Sequence, residues 1–216
     1  MLENELPKQY IEPPANADDF INSWNSGDHF ARDSLADVSS LIMNEDYAGL
    51  INDHFISKYE TANKAERADI VYLLDRLGAK MPVIDRKTTQ ALVDLIDADD
   101  ENIVIMIKAL QNKTQRAAIK LLDSRVKKRT TEEDIAISKD IFTITGEKYI
   151  EIISGNYNDQ AKDRTWRGMW YCATLPEYKS KIESALQTLE KTTQNEALRI
   201  GARTELENIK RFYHET

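Results

Sequence analysis

A helix start that recurs along the chain limits what this sequence can fold into. The segment QNEALRIGARTEL (194–206) leaves a polar loop, opens a helix with an arginine in its first turn, and places small residues one turn later. Aligned on that first turn, Leu198-Arg199 matches Trp166-Arg167 in DRTWRGMWYCATL, Glu66-Arg67 in NKAERADIVYLLDRLG and Ile103-Val104 in DDENIVIMIKAL. A weaker match falls near Ile135 in TEEDIAISKDIF. The anchors lie at 67, 104, about 135, 167 and 199, separated by 37, about 31, about 32 and 32 residues. A period in that range is the signature of stacked helical hairpins, each too poor in apolar surface to fold alone.

The rest of the chain reads as all-α. Seven glycines and five prolines in 216 residues are too few for the turns of a β-sandwich. Residues 1–20, with Pro13 and Pro14, read as a flexible lead-in, and 21–216 as one helical repeat domain. Asp28 is placed to cap a helix over HFARDSLADVSSLIM. Helical stripes follow in YAGLINDHFISKYE and ERADIVYLLDRLG, the latter with Gly78 as its expected stop, and then in TTQALVDLID, IVIMIKALQ and TQRAAIKLLDSRVKK. TTEEDIAISKDIFTIT runs up to Gly146, and EKYIEIIS, AKDRTWRGMWYCAT, KSKIESALQTLEK and NEALRIGARTELENIKRFY follow. The expectation is ten or eleven helices joined by short loops, with neighbours antiparallel. Ile103 to Ile107 would suit a buried strand, but no similar run could pair with it, so it is read as helical.

This pattern resembles the HEAT and armadillo-like α-solenoid family over roughly residues 47–210. The best copies of its hairpin are KIESALQTLEKTTQNEALRIGARTELENI and YIEIISGNYNDQAKDRTWRGMWYCATL. ALVDLIDADDENIVIMIKAL carries the acidic loop but has Val104 where the family's arginine would stand, and the unit near Ile135 also lacks it. The resemblance implies a short right-handed stack of antiparallel hairpins, the alternative being an irregular helical bundle. It also implies that second helices line the binding surface, and that arginines such as Arg67, Arg167 and Arg199 bond to a neighbouring acidic loop.

Function is then sought on the second helices. On a helix, Trp166, Trp170 and Ala173 share one stripe and Arg164, Arg167 and Tyr171 another. The tryptophans are read as core, with the alternative that one is an exposed anchor beside the arginines. Stacked in register, Arg164, Arg167, Tyr171, Arg199 and Arg203 would form one partner-binding patch, of which Arg164 and Arg203 are the freer pair. A further basic run, KTQRAAIKLLDSRVKKRT, sets Lys113, Arg116, Lys120, Arg125, Lys127, Lys128 and Arg129 against Asp123 alone. It could meet phosphate, though a solvated helix end explains it as well.

Catalytic and metal motifs are scarce. His29, His54 and His214 are far apart, and DADDEN lacks the glycine and closing glutamate of a calcium loop, reading instead as a helix cap. There is no phosphate-cradling glycine loop and no nucleophile elbow. Cys172 is the single cysteine and is read as a buried structural thiol. No cofactor or metal is expected. The N-terminus MLENELPKQYIEPP has no export pattern and the longest apolar run is too short for a bilayer, so the expected location is cytoplasmic, with no membrane partner. Net charge is −8 and uneven: residues 1–110 hold 10 Lys+Arg against 21 Asp+Glu, and residues 111–216 hold 19 against 16. An acidic half suits a basic protein partner. The expectation is a non-catalytic protein-binding module, first a small inhibitor or immunity protein neutralising a basic toxin or nuclease, with a general adaptor close behind. The alternative is a nucleic-acid-binding protein resembling the HEAT-like DNA glycosylases. Its nearest residues would be Trp166, Trp170 and Asp163, without a motif-level match, and overall negative charge disfavours it.

Overall fold

The computed structural model describes residues 14–27, 31, 32, 35, 45–80, 86–98, 102–127 and 130–214. Among these the chain is helical, without strands: α1 (Ala17–Ser26), α2 (Glu45–Thr61), α3 (Lys64–Lys80), α4 (Arg86–Ala98), α5 (Ile103–Lys127), α6 (Glu132–Ser154), α7 (Asp159–Ala173), α8 (Pro176–Thr192) and α9 (Glu196–His214). Asp28, and most of the segment it was expected to cap, lie outside the described residues.

Contacts between helices follow a simple order. Four pairs pack as neighbours in sequence: α2 with α3, α4 with α5, α6 with α7 and α8 with α9. First helices of successive pairs touch (α2–α4, α4–α6, α6–α8), as do second helices (α3–α5, α5–α7, α7–α9). At the far end α1 packs on α2, where Phe20 stacks on Trp24 and Trp24 meets the edge of Phe55 at 5.8 Å between centroids.

Each second helix opens on an asparagine. The backbone carbonyls of Asn63, Asn102, Asn158 and Asn195 accept from the amides of Arg67, Met106, Lys162 and Arg199, the first turns of α3, α5, α7 and α9. Side-chain Oδ1 atoms add caps: Asn63 accepts from Ala65 N, Asn158 from Ala161 N at 2.8 Å, and Asn195 from Ala197 N. An asparagine side chain so placed satisfies amides that the helix cannot, which fixes where the second helix begins.

Several boundaries differ from expectation. α1 begins at Ala17, inside the stretch read as lead-in, because Asn16 Oδ1 caps it by accepting from Asp19 N and because Phe20 and Trp24 are buried. α3 runs past Gly78 to Lys80. IVIMIKALQ and TQRAAIKLLDSRVKK form one helix, α5, because the polar residues between them are inside: Gln111, Lys113 and Thr114 are buried, and Gln111 donates to the carbonyl of Arg164 on α7. α6 passes straight through Gly146, which has Tyr178 of α8 against it, so a Cβ there would lie 3.1 Å from the ring. Ile135 therefore falls in the first turn of α6, a first helix, and is not equivalent to the anchors at 67, 104, 167 and 199.

The interior is mostly apolar, and among its buried polar contacts two join side chains of neighbouring helices. Thr114 Oγ1 and the fully buried Tyr149 hydroxyl are 3.1 Å apart, joining α5 to α6. Thr145 Oγ1 and Cys172 Sγ are 3.3 Å apart, joining α6 to α7. Burial pushes the Cys172 thiol up to about 12, so it stays protonated and inert, as expected of a structural cysteine.

Candidate functional site

The five arginine and tyrosine positions singled out from sequence all lie on α7 and α9, but their side chains are engaged in different ways. Arg167 places Nη2 3.0 Å from Asp163 Oδ2, one turn earlier on its own helix, and its guanidinium lies 4.9 Å from the centre of the Trp166 ring. Arg199 pairs with Glu196 on its own helix. Arg203 donates from Nε to Glu190 Oε1 of α8 at 2.8 Å. Neither Arg167 nor Arg199 is bonded to a neighbouring acidic loop in these contacts, and Arg67 donates to the carbonyl of Ala62 while lying over Tyr59. Arg203, expected as one of the freer pair, has its charge met by Glu190.

Arg164 differs from the others. Its Nε is buried without a hydrogen-bond partner. It lines a crevice of about 370 Å³ with Val104, Asp159, Asp163, Asn195 and Leu198, where the first turns of α5, α7 and α9 meet. Tyr171 is half-buried and stacked on Trp170 at 4.2 Å. Burial, and then the charge of Glu205, raise its hydroxyl pKa.

Both tryptophans are half-buried and pack against the core, so neither is a fully exposed anchor. Trp166 donates from Nε1 to Asp163 Oδ1. The Asp163 carboxylate thus serves both Trp166 and Arg167. Across from Trp166 lies Gly201 of α9, where a Cβ would come 2.4 Å from the indole. Glu205, buried on α9, accepts from the backbone amide of Trp170 at 3.0 Å and from Asn208 Nδ2; burial raises its carboxyl pKa.

The basic run on α5 does not form one exposed face. Lys113 is buried, burial lowers the pKa of Arg116, and Lys120 donates to Asp134 of α6 at 3.1 Å. Lys128 and Arg129 lie outside the described residues, and the side chains of Arg125 and Lys127 are not described either.

A feature that the sequence reading missed lies on the first helices. Between α4 and α6 runs a groove of about 600 Å³. Val93, Ile144 and Ile150 supply its apolar surface, each half-buried. Asp94, Glu147 and Glu151 supply carboxylates, and Lys148 the only cation among the groove's own residues. Asp94 accepts from Gln90 one turn earlier. Glu147 accepts from Lys181 and Tyr178 of α8, and the Lys181 bond holds its carboxyl below the usual range. Glu151 accepts from Lys148 and from the Tyr157 hydroxyl. Their spacing carried the signal: positions 90, 93 and 94, and 143, 144, 147, 150 and 151, are one-turn neighbours on their helices.

Among the described residues no three His, Cys, Asp or Glu side chains converge as a metal site requires, and no helix is long and apolar enough to cross a membrane. No family model matches the chain, and no curated protein or solved structure matches it either.

Proposed function

We propose that this chain is a non-catalytic protein-binding module, built as a short HEAT-like stack of four helical hairpins behind α1, and that it binds a basic protein in the cytoplasm. The stack reading is supported by the order of contacts: first helix to first helix and second to second between successive pairs. One observation carries the choice of partner. Three of the arginines on α7 and α9 that would attract phosphate, Arg167, Arg199 and Arg203, face carboxylates of the chain itself, Asp163, Glu196 and Glu190. Excess negative charge lies in the first half. Such a surface draws cationic partners quickly and repels nucleic acid. Within this class, neutralisation of a basic toxin or nuclease comes first and a general adaptor second.

The test is affinity capture from host lysate with tagged full-length chain, with and without added nuclease, eluted in rising salt. A basic protein recovered in stoichiometric amount, insensitive to nuclease and released by salt, is the expected result, and its identity separates inhibitor from adaptor. Nucleic acid as the sole recovered component would sink the proposal.

A further inference from the structure

We infer that the groove between α4 and α6 is where the partner docks, and that its occupant is an amphipathic helix of that partner carrying lysine or arginine beside its apolar stripe. The inference rests on the protein-binding reading above and narrows it to one surface.

Shape comes first. The groove's α6 wall runs from Thr143 to Glu151, about 12 Å at the helical rise of about 1.5 Å per residue, or roughly two turns. Val93, Ile144 and Ile150 give an apolar bed on which a short helix can lay side chains at i, i+3, i+4 and i+7. Charge comes second. Asp94, Glu147 and Glu151 flank that bed, against Lys148 alone. Lys148 is buried and bonded to Glu151, so it does not project toward an incoming chain. Lys181 reaches Glu147 from α8, but that bridge is exposed on both sides, with 56% and 53% of each side chain accessible. Exposed bridges of this kind contribute little and exchange readily. A partner cation can take the place of Lys181, whereas an acidic or nucleic-acid ligand would meet three carboxylates. An apolar floor with an acidic rim therefore selects a basic amphipathic segment.

The test uses full-length protein and two synthetic 14-residue helical peptides of the same leucine pattern, one with lysine and one with glutamate at the polar positions. Binding is read by fluorescence anisotropy, and the site by isoleucine-methyl NMR. The lysine peptide is expected to bind, to weaken as salt rises, and to shift the methyls of Ile144 and Ile150 but not those of Ile119 and Ile200. Asp94→Lys is expected to weaken it about tenfold, equal to about 1.4 kcal/mol. Asp94 is exposed and bonded only to Gln90 in these contacts, so this variant leaves the core alone. Glu151→Gln provides a second, milder change in the same direction. Equal binding of the glutamate peptide, methyl shifts confined to other isoleucines, or undiminished affinity in Asp94→Lys would each overturn the inference. So would a captured natural partner that binds Asp94→Lys as well as the parent, although protein binding itself would then stand. Recovery of nucleic acid alone in the capture experiment would remove both.

Discussion

At the scale of single residues, Gly201 and Glu205 are the most informative positions, and both act on the contact between α7 and α9. A new methyl at 201 would meet the Trp166 indole, which is bonded to Asp163 through Nε1 and has Arg167 over its ring. Gly201→Ala is thus expected to destabilise by about 1–3 kcal/mol by overpacking, despite the gain of up to about 1 kcal/mol in helix propensity. Urea denaturation would measure it, and Trp166→Leu in the same chain should restore part of the loss. Glu205 behaves oppositely to a salt-bridged carboxylate. Its folded pKa is raised above the ordinary 4.5, so the folded protein holds the proton more tightly than the unfolded chain does. Its contribution is fully present below pH 4.5 and is lost as pH rises through the raised value. Glu147, with its lowered pKa, has the opposite sign: its contribution is present above its ordinary value and lost as acid is added. Melting temperatures recorded against pH should therefore fall above about pH 4.5 in the parent, in the part due to Glu205, and Glu205→Gln should flatten that limb while leaving the acid limb unchanged. Residues of this kind are hard to read from sequence. Cys172 was legible because an isolated thiol inside an apolar helix has one ordinary fate, whereas the match of Arg203 to Glu190 depends on how α8 and α9 meet.

At the scale of elements, asparagine caps set the register of the second helices. Asn158→Ala and Asn195→Ala should each lower stability by about 0.5–2 kcal/mol. Asn195 belongs at the upper end, because its Nδ2 also donates to Asp159 Oδ2 in the first turn of α7. Urea midpoints of the two variants would establish the order. These caps explain what was and was not legible. Most helices follow from their apolar stripes, and Asn16 followed by Asp19 was a visible start for α1 that the lead-in reading passed over. The boundaries drawn at Gly146 and around Gln111–Lys113 failed for a physical reason. A glycine or a polar triplet reads locally as a break, but here Tyr178 fills the space over Gly146, and Gln111 finds the Arg164 carbonyl. Aligning on the first helical turn placed a weak repeat at Ile135; aligning on asparagine at 63, 102, 158 and 195 finds the four second helices.

At the scale of the whole molecule, most helices lie between others, and a few do not. Among the described helices, α7 is packed by α5, α6, α8 and α9, while α1 packs on α2, with Arg32 lying over Trp24. Hydrogen exchange should show this as a gradient, slowest in α6 and α7 and fastest in α1, because amides open most easily where the fewest neighbours hold them. Uniform protection from α1 to α9 would contradict it. The groove between α4 and α6 sits beside the slowest region, so a docking helix would meet a wall that does not rearrange. The last helix has one further consequence. Leu198, Gly201, Ala202, Leu206 and Ile209 of α9 face inward, while Arg199, Arg203, Thr204, Glu207, Asn208 and Arg211 are exposed. Ile200, 53% exposed, is the large apolar side chain among them. A mainly polar outer row of this kind holds water, so α8 and α9 together could be transplanted as a cover for the open end of an unrelated helical array.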